Sequence, residues 1–232
     1  MAENKKPEAQ NKKNRKIKIL KNGPYLVSGG IPLIQQEIGT NADGDSYEWR
    51  TIAEFPQKEN YSLCRCGQSG NKPFCDGAHA KINFNGTESA SRAPYLSKAE
   101  ITEGPALRLT DNQTLCASAR FCHRAGGIWK LVPKSGDPIA RKTAVQEAAD
   151  CPSGTLVVFE KKSGEAIEPK YPESIVVVED PQKGVSGPIW VRGGIIVESA
   201  DGSIYEVRNR VTLCRCGKST NKPFCDSSHY PE

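Results

Sequence analysis

Aromatic residues are scarce in this chain, at 7% of 232 residues, and apolar residues of all kinds reach only 37%. Such a composition argues against one large core and predicts small domains. No run approaches the apolar length that crosses a bilayer, and no short apolar block follows the N-terminal charges as a secretory signal requires. Glu3 and Glu8 speak against an organellar transit peptide, so the chain reads as cytoplasmic with no membrane partner. Also missing are a Ser/His/Asp set, a phosphate-binding loop and a GxGxxG sequence after a strand. The chain is therefore expected not to be an enzyme.

What is present begins with charge. Much of the net charge of +5 sits in MAENKKPEAQNKKNRKIKILK, where Lys and Arg crowd a stretch with almost no apolar residue before Ile17. Residues 1–16 read as a disordered basic tail, solubilising rather than nucleic-acid binding. Nine cysteines are the second excess. In a reducing compartment they are expected to be metal ligands and not a disulfide framework. An odd count also leaves one over in any all-disulfide scheme, whereas three sets of three use every one.

The sequence repeats itself. GPYLVSGGIPL at Gly23 returns as GPIWVRGGIIV at Gly187, and each copy leads to a cysteine segment, LCRCGQSGNKPFCDGAH from Leu63 and LCRCGKSTNKPFCDSSH from Leu213. The first copy has 14 more residues between its glycines and its cysteines, which are expected to lengthen a hairpin. YLVSG, PLIQQEI, YEWRTIAEF, PIWVRGG, IIVES and IYEVRN are short and rich in Val, Ile, Tyr and Trp, so they predict strands. Asp43-Gly44 and Asp201-Gly202 mark hairpin turns in matching places, and Gly29-Gly30 and Gly193-Gly194 read as hairpin glycines. Between the repeats, LRLTD reads as a strand, LCASARFCHR as a short helix, ARKTAVQEAAD as a helix ending at Cys-Pro, and TLVVFE as a strand. This β-helix-helix-β order predicts an inserted domain over residues 94–170, flanked by repeats over 17–93 and 171–232, in an α+β chain.

Both repeats space their donors as C-x-C-x8-C-x3-H: Cys64, Cys66, Cys75 and His79, then Cys214, Cys216, Cys225 and His229. Two thiolates one residue apart reach the same metal from a tight turn, and Gly67 or Gly217 lets the chain bend there. Pro73 or Pro223 at the first turn of a short helix would put the third cysteine and the histidine on one face, with the helix N-terminus favouring thiolate charge. Asp76 and Asp226 read as caps of that helix. On spacing alone a structural zinc site, Cys3His, and one half of a dinuclear iron centre both stay open, the close C-x-C pair favouring iron.

The pattern CxCxxSxxxPFCDGxH resembles the signature of the CDGSH, or NEET, iron-sulfur family, and the first copy matches it throughout, with Ser69, Pro73, Asp76, Gly77 and His79 in place. The resemblance implies a 2Fe-2S cluster in each repeat. Cys64 and Cys66 would hold the inner iron and Cys75 and His79 the outer; Cys214 with Cys216, then Cys225 with His229, would do the same. It also implies two antiparallel β units forming a pseudo-dimer within one chain, and hence a monomer. The second copy departs from the family at Ser227, where Gly is usual. If that position needs a positive φ, Ser costs on the order of 1 to 2 kcal/mol there.

Cys116, Cys122 and Cys151 remain, as C-x5-C with a distant Cys-Pro. The arrangement resembles the bacterial ferredoxin pattern with Ala119 at its middle cysteine, and the divergent single-cluster ferredoxin domains found beside CDGSH motifs. Three thiolates imply a 3Fe-4S cluster, or a 4Fe-4S cluster whose fourth iron takes solvent or a non-cysteine ligand, for which His123 is a candidate. Electron transfer or redox sensing is the expected role, with a redox partner protein. Storage and transfer of clusters to an apo-protein is the first alternative, and a zinc-stabilised interaction module the second.

Overall fold

The computed structural model describes residues 15–231. Most of the expected tail over residues 1–16 lies outside the described residues; Arg15 pairs with Glu173 at 2.8 Å and Lys16 opens the first strand. The chain is mixed α+β, with many strands and few helices. The first repeat supplies β1 (Lys16–Ile19), β2 (Tyr25–Ser28), β3 (Leu33–Thr40), β4 (Ser46–Glu54), β5 (Asn60–Leu63) and the single turn α1 (Ala78–Lys81). The central segment supplies β6 (Glu100–Glu103), β7 (Leu107–Asp111), α2 (Ile128–Leu131), α3 (Pro138–Asp150) and β8 (Leu156–Glu160). The second repeat supplies β9 (Ser174–Asp180), β10 (Val185–Arg192), β11 (Ile196–Glu198) and β12 (Arg210–Leu213).

The two repeats exchange a strand. One sheet has the order β11-β1-β2-β5 and the other β12-β10-β9-β3-β4, so β11 of the second repeat lies parallel to β1, and β3 of the first lies parallel to β9. Gly29-Gly30 and Gly193-Gly194 therefore do not close hairpins, as the sequence suggested. They sit where the chain leaves one sheet for the other. The 14 extra residues do lengthen a hairpin: β3 and β4 pair antiparallel around Asp43-Gly44, whereas the matching turn in the second repeat closes only a bridge between Glu198 and Ile204. The segment IYEVRN forms no strand beyond that bridge.

Period-two alternation explains the shared core. Ile17, Ile19, Tyr25, Val27 and Leu63 of the first repeat meet Ile175, Val177, Ile189, Val191 and Leu213 of the second, all buried. Fully burying such side chains is worth roughly 1.5 to 3 kcal/mol each, so the two repeats hold each other together. Strand β9 is buried on both faces. Its opposite face, Val176 and Val178, packs with Trp190 and Ile38 against Ala119 and Phe121 of the central segment, and Trp49 joins them with ring centroids 4.8 Å from Phe121 and 5.0 Å from Trp190. The central segment is thus docked on the sheet that carries β9 and β10.

Within that segment a sheet of order β6-β7-β8 carries α3 on one face. Asp137 caps α3 by accepting the N–H groups of Ile139 and Ala140 at 3.0 and 2.8 Å, Pro138 opens the helix, and Ala140, Ala144 and Ala148 form the small-residue stripe that lets it lie close to β7 and β8. The helix expected over LCASARFCHR does not form. Short 3-10 turns at Gln113–Leu115 and Phe121–Gly126 flank an irregular loop in which Ser118 and Arg120 have φ of 53° and 65°.

Candidate metal centres

Each CDGSH-like loop is tied to the strand that precedes it. Cys64 N–H donates to the Pro73 carbonyl at 2.8 Å and Cys75 N–H to the Ser62 carbonyl at 2.9 Å; Cys214 to Pro223 and Cys225 to Thr212 repeat both bonds at the same distances. Phe74 and Phe224 bridge Leu63 and Leu213. Because these backbone groups are committed to the strand, Pro73 and Pro223 cannot open a helix, contrary to the sequence expectation. Helical turning starts only at Ala78 in the first motif and is absent from the second, so no helix N-terminus faces Cys75 or Cys225. The sharp turn at Asp76-Gly77 or Asp226-Ser227 brings the histidine round instead. Asp76 braces it, accepting Gly70 N–H at 2.8 Å through one oxygen and Ala78 N–H at 3.0 Å through the other. Asp226 does the same for Thr220 and Ser228.

The result is four close donor pairs. Cys64 and Cys66 hold their Sγ atoms 3.8 Å apart, and Cys214 and Cys216 3.6 Å; His79 Nδ1 lies 3.4 Å from Cys75 Sγ, and His229 Nδ1 3.5 Å from Cys225 Sγ. Two thiolates on one tetrahedral metal, with bonds of about 2.3 Å, are separated by about 3.8 Å, and a thiolate and an imidazole by slightly less. Each pair therefore has the spacing of two ligands on one metal. Among the described residues no three His, Cys, Asp or Glu side chains converge as a single ion would require.

A buried arginine stands between the cysteines of each C-Arg-C turn. Arg65 donates to the carbonyls of Gly23 and Leu20, tying its turn to the β1–β2 turn, and Arg215 donates to those of Gly187 and Val178 and to Glu179, tying its turn to β9 and β10. The duplicated CRC triplet was the signal for this role, but spacing drew attention only to the sulfurs. The two turns also meet back to back. A Cβ on Gly67 would lie 2.5 Å from the Cys216 carbonyl oxygen, and one on Gly217 would lie 2.7 Å from that of Cys66, so both positions require glycine for the approach as well as for φ of 75° and 81°. Tyr25 of the first repeat donates its hydroxyl to the Cys214 carbonyl at 2.8 Å, tying the halves together at the second site.

Burial pushes the Cys225 thiol up to about 12 and raises that of Cys66, while hydrogen bonds from the Cys214 thiol and then the Lys218 N–H bring Cys216 down to about 6 against the cost of burial. Burial also lowers His229 to about 4. Metal binding at these sites must therefore release thiol protons, whereas His229 is already neutral and ready to donate.

Cys116 lies in the irregular central loop, Cys122 in the 3-10 turn after it, and Cys151 at the C-cap of α3. Burial raises Cys116 and Cys122, and all three thiols lie within one another's electrostatic reach. Arg210 of β12, almost wholly buried, donates to the carbonyls of Cys151, Ala148 and Leu156 at 2.7, 2.8 and 3.0 Å and fixes the turn that presents Cys151. His123 is exposed, its ring edge-on to Trp129 with centroids 6.0 Å apart. Glu147 is fully buried one helical turn before Cys151, and neither of its oxygens has a partner.

Comparison with protein-family models matches residues 22–80 and 186–230 to the iron-binding zinc finger of CDGSH type, and residues 102–161 to the divergent 4Fe-4S mono-cluster domain. The chain carries two CDGSH-type segments with a divergent mono-cluster segment inserted between them. It is an iron-sulfur cluster-binding protein. Neither a curated protein nor a solved structure matched the chain. The two CDGSH matches contain all eight terminal donors, and the mono-cluster match contains Cys116, Cys122 and Cys151.

Proposed function

We propose that the protein carries single electrons and is not an enzyme, with a 2Fe-2S cluster on Cys64, Cys66, Cys75 and His79, a second on Cys214, Cys216, Cys225 and His229, and a 4Fe-4S or 3Fe-4S cluster on Cys116, Cys122 and Cys151. The observation that carries this reading is the division of the terminal donors into pairs 3.4 to 3.8 Å apart. The clusters would supply the redox chemistry. The chain's own part is to orient them and keep water away. Arg65 and Arg215 hold the inner pairs, Asp76 and Asp226 hold the turns of the outer pairs, and the shared core backs both sites. The reciprocal strand exchange supports a pseudo-dimer made within one chain, and hence a monomer.

Iron, zinc and acid-labile sulfide analysis with electron paramagnetic resonance tests the reading. About eight irons per chain are expected with a 4Fe-4S centre, or about seven with 3Fe-4S. Colourless protein with stoichiometric zinc and no sulfide would replace it with a zinc-stabilised interaction module. Midpoint potentials that fall as pH rises would support proton uptake at the histidine ligands on reduction, and a flat line through neutral pH would remove that coupling.

Cluster transfer is the second reading, favoured by the partial exposure of Cys75 and His79 at the outer pair of the first site. Mixing holo-protein with an apo-ferredoxin should then give transfer faster than spontaneous decay, slowed by His79→Cys.

A further inference from the structure

Ser227 is the one departure from the family pattern in the second motif, and its surroundings explain it. The backbone there has φ of 73°, a conformation that costs a residue with a Cβ about 1 kcal/mol or more and that Gly77 adopts freely at 87° in the first motif. In return, the Ser227 hydroxyl donates to the Cys116 carbonyl at 2.8 Å and accepts from the Ser118 hydroxyl at 2.7 Å. Gly77 faces open space, with nothing within 4 Å of where its Cβ would stand.

The contact is part of a wider grip. Asn221 donates to the Thr114 carbonyl at 2.8 Å, and Tyr230 to that of Ser118 at 3.1 Å. Arg120 reaches Tyr230 at 2.7 Å and makes a two-pronged pair with Asp180. His229, Ala117, Ala119 and Pro152 line one cleft, so an outer donor of the second site shares a wall with the immediate neighbours of the central cysteines. Cys225 lies within the electrostatic reach of Cys116.

We propose that the second CDGSH site and the central site form one electron-exchanging pair, joined through Ser227 and the Cys116 loop, a contact that Gly77 at the matching place in the first site does not make. The inference rests on the reading of all three sites as iron-sulfur centres. One electron leaves the reduced centre of the pair and is taken up by its oxidised neighbour, with no atom transferred; a one-electron reductant, dithionite in the test, supplies the electron.

Electron paramagnetic resonance of the fully reduced full-length chain should show a split or broadened signal from two interacting spins. That signal should persist in Cys75→Ser, which removes the first site, and vanish in Cys225→Ser, which removes the second. Ser227→Gly restores the residue of the first motif and relieves the backbone, so it should keep its iron and sulfide yet slow electron redistribution after rapid mixing with substoichiometric dithionite. A split signal that survives Cys225→Ser, or redistribution unchanged in Ser227→Gly, overturns the pairing. Absence of iron and sulfide from the parent protein instead overturns the cluster reading beneath it.

Discussion

Gly67→Ala separates the two demands made on that glycine. Its φ of 75° matches the 74° of Gly164, but a Cβ on Gly164 would meet nothing within 4 Å, whereas one on Gly67 would lie 2.5 Å from the Cys216 carbonyl oxygen and 2.9 Å from its carbon. Both substitutions carry the left-handed backbone cost, about 1 to 2 kcal/mol. Only Gly67→Ala must also push backbone aside by several tenths of an ångström, and overpacking of that kind costs about 1 to 3 kcal/mol. The difference between the two variants is therefore about 2 kcal/mol. At about 2 to 4 °C per kcal/mol for a chain of this size, Gly67→Ala should melt about 6 °C below Gly164→Ala. Thermal denaturation followed by far-ultraviolet circular dichroism measures this. Visible circular dichroism adds a second readout, because the displaced backbone belongs to Cys216: a change in the first motif should disturb the signal of the second. Equal melting of the two variants, or a disturbance confined to the first site, would refute the back-to-back contact.

Arg210→Leu removes the donor to the carbonyls of Cys151, Ala148 and Leu156 and leaves Glu168 with Asn209 but without its charged partner, so a loss of about 3 to 5 kcal/mol is expected, with iron lost first from the central site; urea unfolding and iron analysis check both. Glu147 is raised by burial from 4.5 to about 8. Its proton is therefore held in the folded chain and lost from the unfolded chain between those values, so the contribution of Glu147 to stability is fully present below 4.5 and falls as pH rises toward 8, at ~1.4 kcal/mol per unit. Glu147→Gln should flatten that slope in urea titrations from pH 5 to 8, and an unchanged slope would assign it to other groups. Arg215→Lys keeps the charge but lacks the fork that serves Gly187, Val178 and Glu179, so the second site should lose its cluster faster in the presence of a chelator than the first.

The donors were legible because their chemistry is local. Two sulfurs one residue apart, a third with a histidine four residues on, and a second copy of the whole leave few readings. Strands such as β2, β3 and β10 were legible for the same reason, through alternation and composition. Partner choice was not. Nothing in Leu33–Thr40 marks it to pair with Ser174–Asp180, because side-chain alternation sets which face is buried and leaves open which neighbour lies alongside. Local propensity also lost where tertiary bonds were stronger. LCASARFCHR has helical composition, yet Ser118 and Arg120 take positive φ and their side chains go to Ser227, Tyr230 and Asp180. Pro73 suggests a helix start until the Cys75 N–H is seen committed to the Ser62 carbonyl.

Joining both motifs in one chain lets them diverge, which identical subunits cannot do. The core and the C-Arg-C turns remain nearly symmetric, with matched strands, matched arginines and reciprocal glycine contacts. Differences collect on the outer loops. Gly70 and Gly77 in the first motif are Thr220 and Ser227 in the second; the Thr220 hydroxyl adds a bond of 2.8 Å to Asp226, and the Ser227 hydroxyl reaches the Cys116 loop. Both changes stiffen the turn that faces the inserted segment. The strain at Ser227 is thus offset by docking, and the same substitution at Gly77 would meet the backbone cost with no partner to receive the hydroxyl. Asymmetry in the ligand loops follows from where the insertion packs, on the outer face of β9 and β10, and that placement leaves Cys75 and His79 of the first site partly exposed and sets the second site beside the central cysteines.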